Sequence, residues 1–308
     1  MAKKVAVTGA TGLIGRHIFK ALLERGDEVT VLSRSPGHAK EILPGAHSYV
    51  KWDSEKGAEG PGFAGGLDAV VHLAAAPVMD KRWNESYKEK ILKSRQDGTR
   101  ILVNELRQST SRPEALVSAS AIGYYGVSRQ KAMTEEDHPG MDFLAEVCKL
   151  WEEEAARSEE YGIRNVRLRL GIVLDARGGA LKKMLTPFKF FIGGPLGRGS
   201  QGFSWVHIDD VVNVFLMAID NRSMRGAYNL TSPEPVSMKE FSDKIGRAVK
   251  RPSWLKVPEF ALDIVVGEGA YTITNAPVVL PERLKEMGYK FKFSESLEAL
   301  RDIIRNRE

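Results

Sequence analysis

Seven residues near the amino terminus carry the clearest chemistry in the chain: Gly9-Ala10-Thr11-Gly12-Leu13-Ile14-Gly15. The spacing is G-x-x-G-x-x-G. It stands between a short apolar run over 4–8 and a stretch in which Ile14, Ile18, Ala21 and Leu22 recur at helical spacing. One glycine permits a tight turn, one lets the backbone approach a diphosphate, and one lets helix and strand pack closely. The diphosphate meets free N–H groups at the positive end of the helix dipole. Thr11, Leu13 and Ile14 belong to the same turn, so the pattern predicts a dinucleotide site.

The second strand of this unit, over 28–32, ends at Ser33-Arg34. Dinucleotide folds that take NAD place an acid there to hold the ribose 2′-hydroxyl. No acid stands between Val29 and Pro36. An arginine fork instead suits a 2′-phosphate, which makes NADP(H) the expected cofactor. The alternative is that Arg34 is a solvated loop residue.

These residues need a scaffold, and the rest of the chain supplies one. Strand-like runs recur over 48–51, 68–73, 115–118 and 166–170, with helical patterns over 84–106 and 143–160. Strands alternating with helices imply a parallel sheet covered on both faces. The glycine-rich segment 57–66 reads as a loop. Past Gly171 the alternation breaks, with Gly178-Gly179 and Gly193-Gly194-Pro195-Leu196-Gly197 marking long loops. Helices resume over 209–219, 238–249 and 281–287, with another near the C-terminus. The expected fold class is α/β, a Rossmann-type doubly wound parallel sheet with a smaller C-terminal substrate-side lobe. Residues 1–178 form the dinucleotide domain, with segments near 203–230 returning to it, and 179–308 form the lobe.

Composition narrows the function classes. Of 308 residues 43% are hydrophobic and 28% charged, which suits a globular protein and not a disordered one. The net charge of +5 comes from basic residues scattered among nearly as many acids, without a nucleic-acid motif. Six histidines show no ligand spacing and Cys148 is the only cysteine, so neither a metal centre nor an intrachain disulfide is expected. Cys148 reads as a packed small residue and Glu152-Glu153-Glu154 as a partly solvated helix stretch. The amino terminus lacks the uninterrupted apolar core of a signal peptide, and no apolar stretch is long enough to span a bilayer. The expectation is a cytoplasmic protein acting on a small molecule, with neither nucleic acid nor membrane as partner, and with a homodimer allowed.

Several motifs resemble the extended short-chain dehydrogenase/reductase superfamily, in its NAD-dependent epimerase/dehydratase branch. They are Val7-Thr8-Gly9-Ala10-Thr11-Gly12, Asp68-Ala69-Val70-Val71-His72-Leu73-Ala74-Ala75, Tyr125-Gly126 and Trp205-Val206-His207-Ile208-Asp209-Asp210. Arg82-Trp83-Asn84, Ser94-Arg95-Gln96-Asp97-Gly98-Thr99, Gly123-Tyr124-Tyr125-Gly126 and the 193–197 run with Gln201 narrow the match. Together they resemble the YfcH-like epimerase family of NADP-dependent oxidoreductases, whose small C-terminal domain corresponds to about 254–304. The resemblance implies that Ser33, Arg34, Leu73, Ala74, Arg95 and Val173 touch the cofactor. Arg95 has the alternative of an exposed helix arginine. Asp53 is a candidate for the adenine amino group, or else a turn former before Ser54.

The superfamily's acid/base pair is a Tyr with a Lys four residues later on one helix. Lys149 is present here, but the position four before it is Ala145. Ser120 resembles the family serine that bonds the substrate oxygen, Tyr124 and Tyr125 follow it, and Lys149 could itself shuttle a proton. Each has a plainer alternative: a serine bonding backbone, packed tyrosines, a solvated lysine. Two function classes result. One is an oxidoreductase or epimerase acting on a carbonyl or hydroxyl compound, nucleotide-linked or not. The other is a non-catalytic NADP(H)-binding sensor or scaffold.

Arg34 generates the first prediction. Calorimetric titration is expected to show tighter binding of NADPH than of NADH, and Arg34→Ala to weaken NADPH by about 1.5–3 kcal/mol with little effect on NADH. Equal affinities in the parent protein would remove the basis for the NADP reading.

Overall fold

A computed structural model of the chain describes residues 2–59, 63–127 and 132–305. The amino-terminal half runs β1 (Lys4–Thr8), α1 (Leu13–Glu24), β2 (Glu28–Ser33), α2 (Pro36–Ile42), β3 (Ser48–Asp53), β4 (Gly57–Ala58), β5 (Ala69–His72), α3 (Glu85–Gln108) and β6 (Ala115–Ala121). A 3-10 turn at Ile122–Tyr125 leads to α4 (Phe143–Ala156), β7 (Arg164–Leu170), β8 (Ile172–Leu174), α5 (Gly179–Lys189), β9 (Gly202–Phe203) and β10 (Trp205–His207). Then come α6 (Ile208–Asp220), β11 (Gly226–Leu230), β12 (Val236–Ser237), α7 (Met238–Val249), α8 (Glu259–Val266), α9 (Gly269–Thr274), α10 (Glu282–Glu286) and α11 (Ser296–Arg305). No helix among the described residues is long and apolar enough to cross a membrane.

Eight strands form the central sheet in the order β11-β7-β6-β5-β1-β2-β3-β4. All neighbours are parallel except β4, which runs antiparallel to β3. Gly57 and Ala58 therefore leave the expected loop: the Glu105 carboxylate accepts the Ala58 N–H and holds this short strand in place. The ladder between β6 and β7 continues through Ser120↔Arg169 and Ala121↔Leu170. Ser120 accordingly sits on the strand, not after it.

Strand alternation decides which helices cover which face. Val5 and Val7 of β1 pack with Ile18 and Leu22 of α1 and with Val211 and Phe215 of α6. Ala6 points the other way, to Val70 of β5 and to Leu102 and Leu106 of α3. β1 pairs with β2 on one side and β5 on the other, so the chain order reverses there. A crevice opens at the carboxyl ends of strands at such a reversal.

A buried relay ties that crevice together. Thr8 Oγ1 accepts the N–H groups of Leu73 and Ala74, both at 3.1 Å, so its own hydrogen points to His72 Nδ1 at 2.8 Å. The imidazole is then the neutral Nε2–H tautomer, which donates to Thr99 Oγ1 at 3.0 Å. Burial pushes His72 down to about 4, in keeping with that neutral state.

Beyond β7, apolar residues of β8, α5, β9, β10, α7 and α11 form a second core around Phe188, Trp205 and Phe241. His17 on α1 meets Asp175, just past β8, at 2.6 Å. Asp210, fully buried in the first turn of α6, accepts the Tyr289 hydroxyl and the backbone N–H groups of Lys292 and Phe293 at 2.8, 2.8 and 3.1 Å.

The buried imidazole makes stability depend on pH. Between 6.5 and about 4 the unfolded chain takes up a proton that folded His72 refuses, so this contribution is present above pH 6.5 and is lost as pH falls. Urea denaturation at pH 7 and pH 4 is expected to show the stability gap between the parent and His72→Asn shrinking by about 3 kcal/mol toward acid. A gap that stays constant would mean that His72 is not buried in its neutral form.

Candidate functional site

The three glycines of the turn meet three different constraints. Gly9 has φ +67°, and a Cβ there would lie 2.8 Å from the Leu73 carbonyl carbon and 2.9 Å from the Ala74 nitrogen. A Cβ on Gly15 would lie 2.2 Å from the Gly9 oxygen. Gly12 is different: it is the N-cap of α1, and its Cβ would meet only the Gly9 oxygen, at 3.2 Å. The first turn of α1 has no side-chain cap and no acid. Gly9 and Gly15 are thus fixed by the fold, whereas Gly12 leaves backbone amides open at a helix dipole, a cradle that fits a diphosphate.

Neighbouring residues shape the turn. The Thr11 carbonyl accepts Arg16 Nε at 2.8 Å, and Leu13 packs beneath Gly178. Ile14 and Val173 are half-buried against the core of this face. Ser33 closes a local turn with Ser35, and Arg34 after it is exposed, with no hydrogen bond or ion pair among the described residues. Asp53 Oδ1 accepts the Glu55 N–H at 2.7 Å, the turn-forming role, which leaves Oδ2 uncommitted among the described residues. A separate cavity of about 780 Å³ runs along the outer side of α1 past Lys20, Leu23 and Ile42, sharing Thr11 and Leu13 with the turn.

At the end of β6 the structure assembles a buried polar network. Ser120, 1% exposed, donates to Glu152 Oε1 at 2.7 Å. Glu152 receives Arg169 through both carboxylate oxygens, at 2.8 and 2.9 Å. Arg169 Nη1 donates to the Tyr125 hydroxyl at 2.8 Å, and that hydroxyl donates to Asn229 Oδ1 at 2.7 Å. The expectation of a partly solvated 152–154 stretch therefore fails at Glu152, because the helix turns this one carboxylate onto an arginine from β7. Burial pushes the Tyr125 phenol up to about 12, against the pull of Arg169. Tyr124 lies with the Arg169 guanidinium 3.4 Å from its ring centroid. Its hydroxyl has no hydrogen bond among the described residues.

Helix α4 starts where the Asp142 carboxylate accepts the Ala145 N–H at 3.0 Å. A Cβ on Gly123 would meet Leu144 at 3.4 Å and the Cys148 sulfur at 3.6 Å. With Glu152 on Ser120, the stripe Leu144–Cys148–Glu152 faces β6 and the turn that leaves it, at i, i+4 spacing. Ala145 and Lys149 lie one residue, about 100°, further round the helix. Lys149 is half-buried and has no hydrogen bond or ion pair among the described residues. Burial pushes the Cys148 thiol up to about 12, which makes it inert packing.

Arg95 is not an exposed helix arginine: it is 8% exposed and reaches under the loop that leaves β5. Its Nη1 donates to the Ala76 and Ile91 carbonyls at 3.0 and 3.1 Å, and its guanidinium lies 5.1 Å from the Trp151 ring. No group of His, Cys, Asp or Glu able to hold a metal gathers among the described residues. Sequence reasoning missed Thr8, His72, Glu152 and Arg169. The available signal for Glu152 and Arg169 was Arg169 set between Leu168 and Leu170 in a strand, since a buried arginine favours an acid opposite.

Comparison with known proteins places this geometry. The model of the NAD dependent epimerase/dehydratase family matches residues 5–231, and a domain of unknown function, DUF1731, matches 257–303. The chain is 41% identical over 302 residues to the chloroplastic epimerase family protein SDR39U1 homolog of Arabidopsis thaliana, covering 97% of this chain and 86% of that one. It is 37% identical over 305 residues to the epimerase family protein YfhF of Bacillus subtilis, covering 99% of each. The crystal structure of human epimerase family protein SDR39U1 (isoform 2) with NADPH has a TM-score of 0.85 at 30% identity, covering 98% of this chain and 99% of that one.

The open direction at Gly12 yields a contrast between two variants. Gly12→Val is expected to keep the parental circular dichroism spectrum and lose dinucleotide binding, because the side chain fills the cradle and presses on the fold only at the Gly9 oxygen, 3.2 Å from its Cβ. Gly15→Val is expected to be destabilised outright, since its Cβ overlaps the Gly9 carbonyl. Undiminished binding by folded Gly12→Val would put the diphosphate elsewhere.

Proposed function

The chain belongs to the NAD dependent epimerase/dehydratase family, and we propose that it is an NADP(H)-dependent oxidoreductase or epimerase acting on a small carbonyl or hydroxyl compound. The observation that carries this reading is the open Gly12 cradle at an uncapped helix start, set at the point where the strand order reverses. The NADPH in the human relative supports the choice of cofactor. Bound there, NADP(H) would supply hydride transfer.

The chain's own residues divide the remaining work. The amides of the glycine turn receive the diphosphate, Arg34 pairs with the 2′-phosphate beside Ser33, and the free oxygen of Asp53 takes the adenine amino group. Leu73, Ala74 and Val173 supply apolar walls. For proton exchange with the substrate, Tyr124 is the group of choice. Ser120 has its hydrogen on Glu152, Tyr125 is engaged on both sides, and Lys149 lies off the stripe of α4 that meets β6. Among the described residues Tyr124 alone of the four presents an uncommitted hydroxyl on the turn leaving β6, with the Arg169 guanidinium over its ring.

The stripe of Leu144 and Cys148 favours a second reading, an NADP(H)-binding sensor or scaffold, because neither side chain can act as the acid expected near the reacting centre. Turnover separates the two. A panel of carbonyl compounds is scored by NADPH absorbance, and Tyr124→Phe is expected to lower turnover about 10²–10⁴-fold with NADPH affinity unchanged. Parental turnover in Tyr124→Phe would remove Tyr124 from the chemistry. Tight NADPH binding with no turnover across the panel would favour the sensor.

A further inference from the structure

The C-terminal lobe carries an apolar face that stands open among the described residues. Phe190, Phe191 and Ile192 follow α5, Trp254 and Leu255 follow α7, and all five are exposed, Phe190 at 69% and Trp254 at 65%. The two segments are tied into one surface. Trp254 Nε1 donates to the Phe191 carbonyl at 2.9 Å, and the Trp254 and Leu255 N–H groups donate to the Gly193 carbonyl at 3.0 and 3.1 Å. Single exposed apolar residues are ordinary, whereas a contiguous set of large ones marks an interaction surface. Phe191 is also held in a left-handed conformation, φ +62°, which a bulky side chain rarely adopts. Such strain persists only where the surroundings impose it, and it gathers at functional sites.

Local charge narrows what meets this face. No acid stands between Asp175 and Asp209, a stretch with five Lys and Arg, and none between Asp243 and Glu259, which again holds five. Lys189, Lys250, Arg251 and Lys256 flank the exposed side chains in sequence. The Arg251 guanidinium lies 4.5 Å from the Phe191 ring centroid, and the ammonium groups of the three lysines have no hydrogen bond or ion pair among the described residues. Lys189 and Arg251 also line a hollow of about 200 Å³ whose other walls are Leu185, Phe188, Val249 and Ile304. Aromatic and aliphatic tips ringed by cations suit a surface that is anionic outside and apolar beneath. A second copy of the chain suits the face poorly, since a two-fold pairing sets these cations against themselves.

We propose that this face lies on an anionic lipid surface, with the five apolar side chains entering the boundary between headgroups and acyl chains and the four cations pairing with lipid phosphates. No helix among the described residues is long and apolar enough to cross a membrane, but contact with a bilayer surface needs none. The expectation of no membrane partner, drawn from the lack of a spanning stretch, therefore does not extend to peripheral contact.

Trp254 supplies a probe of its own, because the other four tryptophans, Trp52, Trp83, Trp151 and Trp205, are buried. The full chain is mixed with vesicles of phosphatidylcholine alone or of phosphatidylcholine and phosphatidylglycerol in equal amounts. Co-sedimentation with the mixed vesicles and a blue shift of tryptophan emission are expected, and neither is expected with phosphatidylcholine alone. Added salt is expected to release the protein. The double variant Lys189→Glu with Arg251→Glu is expected to bind the mixed vesicles about tenfold or more weakly, and so is Phe190→Ser with Ile192→Ser. Absence of binding to the mixed vesicles, equal binding to both kinds, or parental binding by the folded charge-reversal variant would overturn the proposal. The comparison of vesicles with the parent protein decides the matter even if a variant fails to fold. Binding of polyglutamate as tight as that of the mixed vesicles would assign the face to an acidic polypeptide. A lipid-free dimer that the serine variant dissociates would assign it to a second copy of the chain, and either result would overturn the lipid reading.

Discussion

The hydroxyl of Thr8 ties the end of β1 to the chain that leaves β5. β1 and β5 are adjacent, and past their ends the chain departs toward opposite faces of the sheet, to α1 and to α3. Two backbone N–H groups at Leu73 and Ala74 would be left buried there without partners. Thr8 accepts both and passes its hydrogen to His72, which passes its own to Thr99 on α3. Gly9 can then approach Leu73 and Ala74 so closely that no side chain fits between them. The glycine turn, the loop above Arg95 and the start of α1 all take their positions from this contact.

The second fixed point is the pair Glu152–Arg169. A buried ion pair contributes little net stability, because desolvation offsets most of the attraction. Its value here is positional. One carboxylate orders Ser120 on β6 and Arg169 on β7, and Arg169 in turn orders two adjacent tyrosines in different ways, one through its hydroxyl and one through its ring face. Two groups that sequence reading offers for chemistry, Ser120 and Tyr125, are thereby hydrogen-bonded into this network, and the neighbouring Tyr124 hydroxyl is left uncommitted among the described residues.

What could be read from sequence was what depends on backbone. The glycine spacing, the absence of an acid after β2 and the alternation of strands and helices reflect local steric rules that survive without knowledge of contacts. What could not be read depends on rotation and partners. Glu152, Glu153 and Glu154 look like one acidic run, yet each is turned about 100° from the next, and only Glu152 meets β7. The Tyr-to-Lys spacing drew attention to Ala145 and Lys149, whereas contact with Gly123 selects Leu144 and Cys148, one residue earlier. Gly57–Ala58 is too short for any period to show, and its strand exists because Glu105 reaches across from α3.

Asp210 sits in the first turn of α6, and the groups that satisfy its carboxylate arrive only with residues 289–293, about eighty positions later. During synthesis on a ribosome, the sheet and its glycine turn emerge while this acid still lacks its three donors. A charged group is costly to seal into an apolar face unpaired, so α6 seats fully only once residues 289–293 have been made. The amino-terminal half thus carries the glycine turn, but residues 289–293 decide when that half becomes a finished domain.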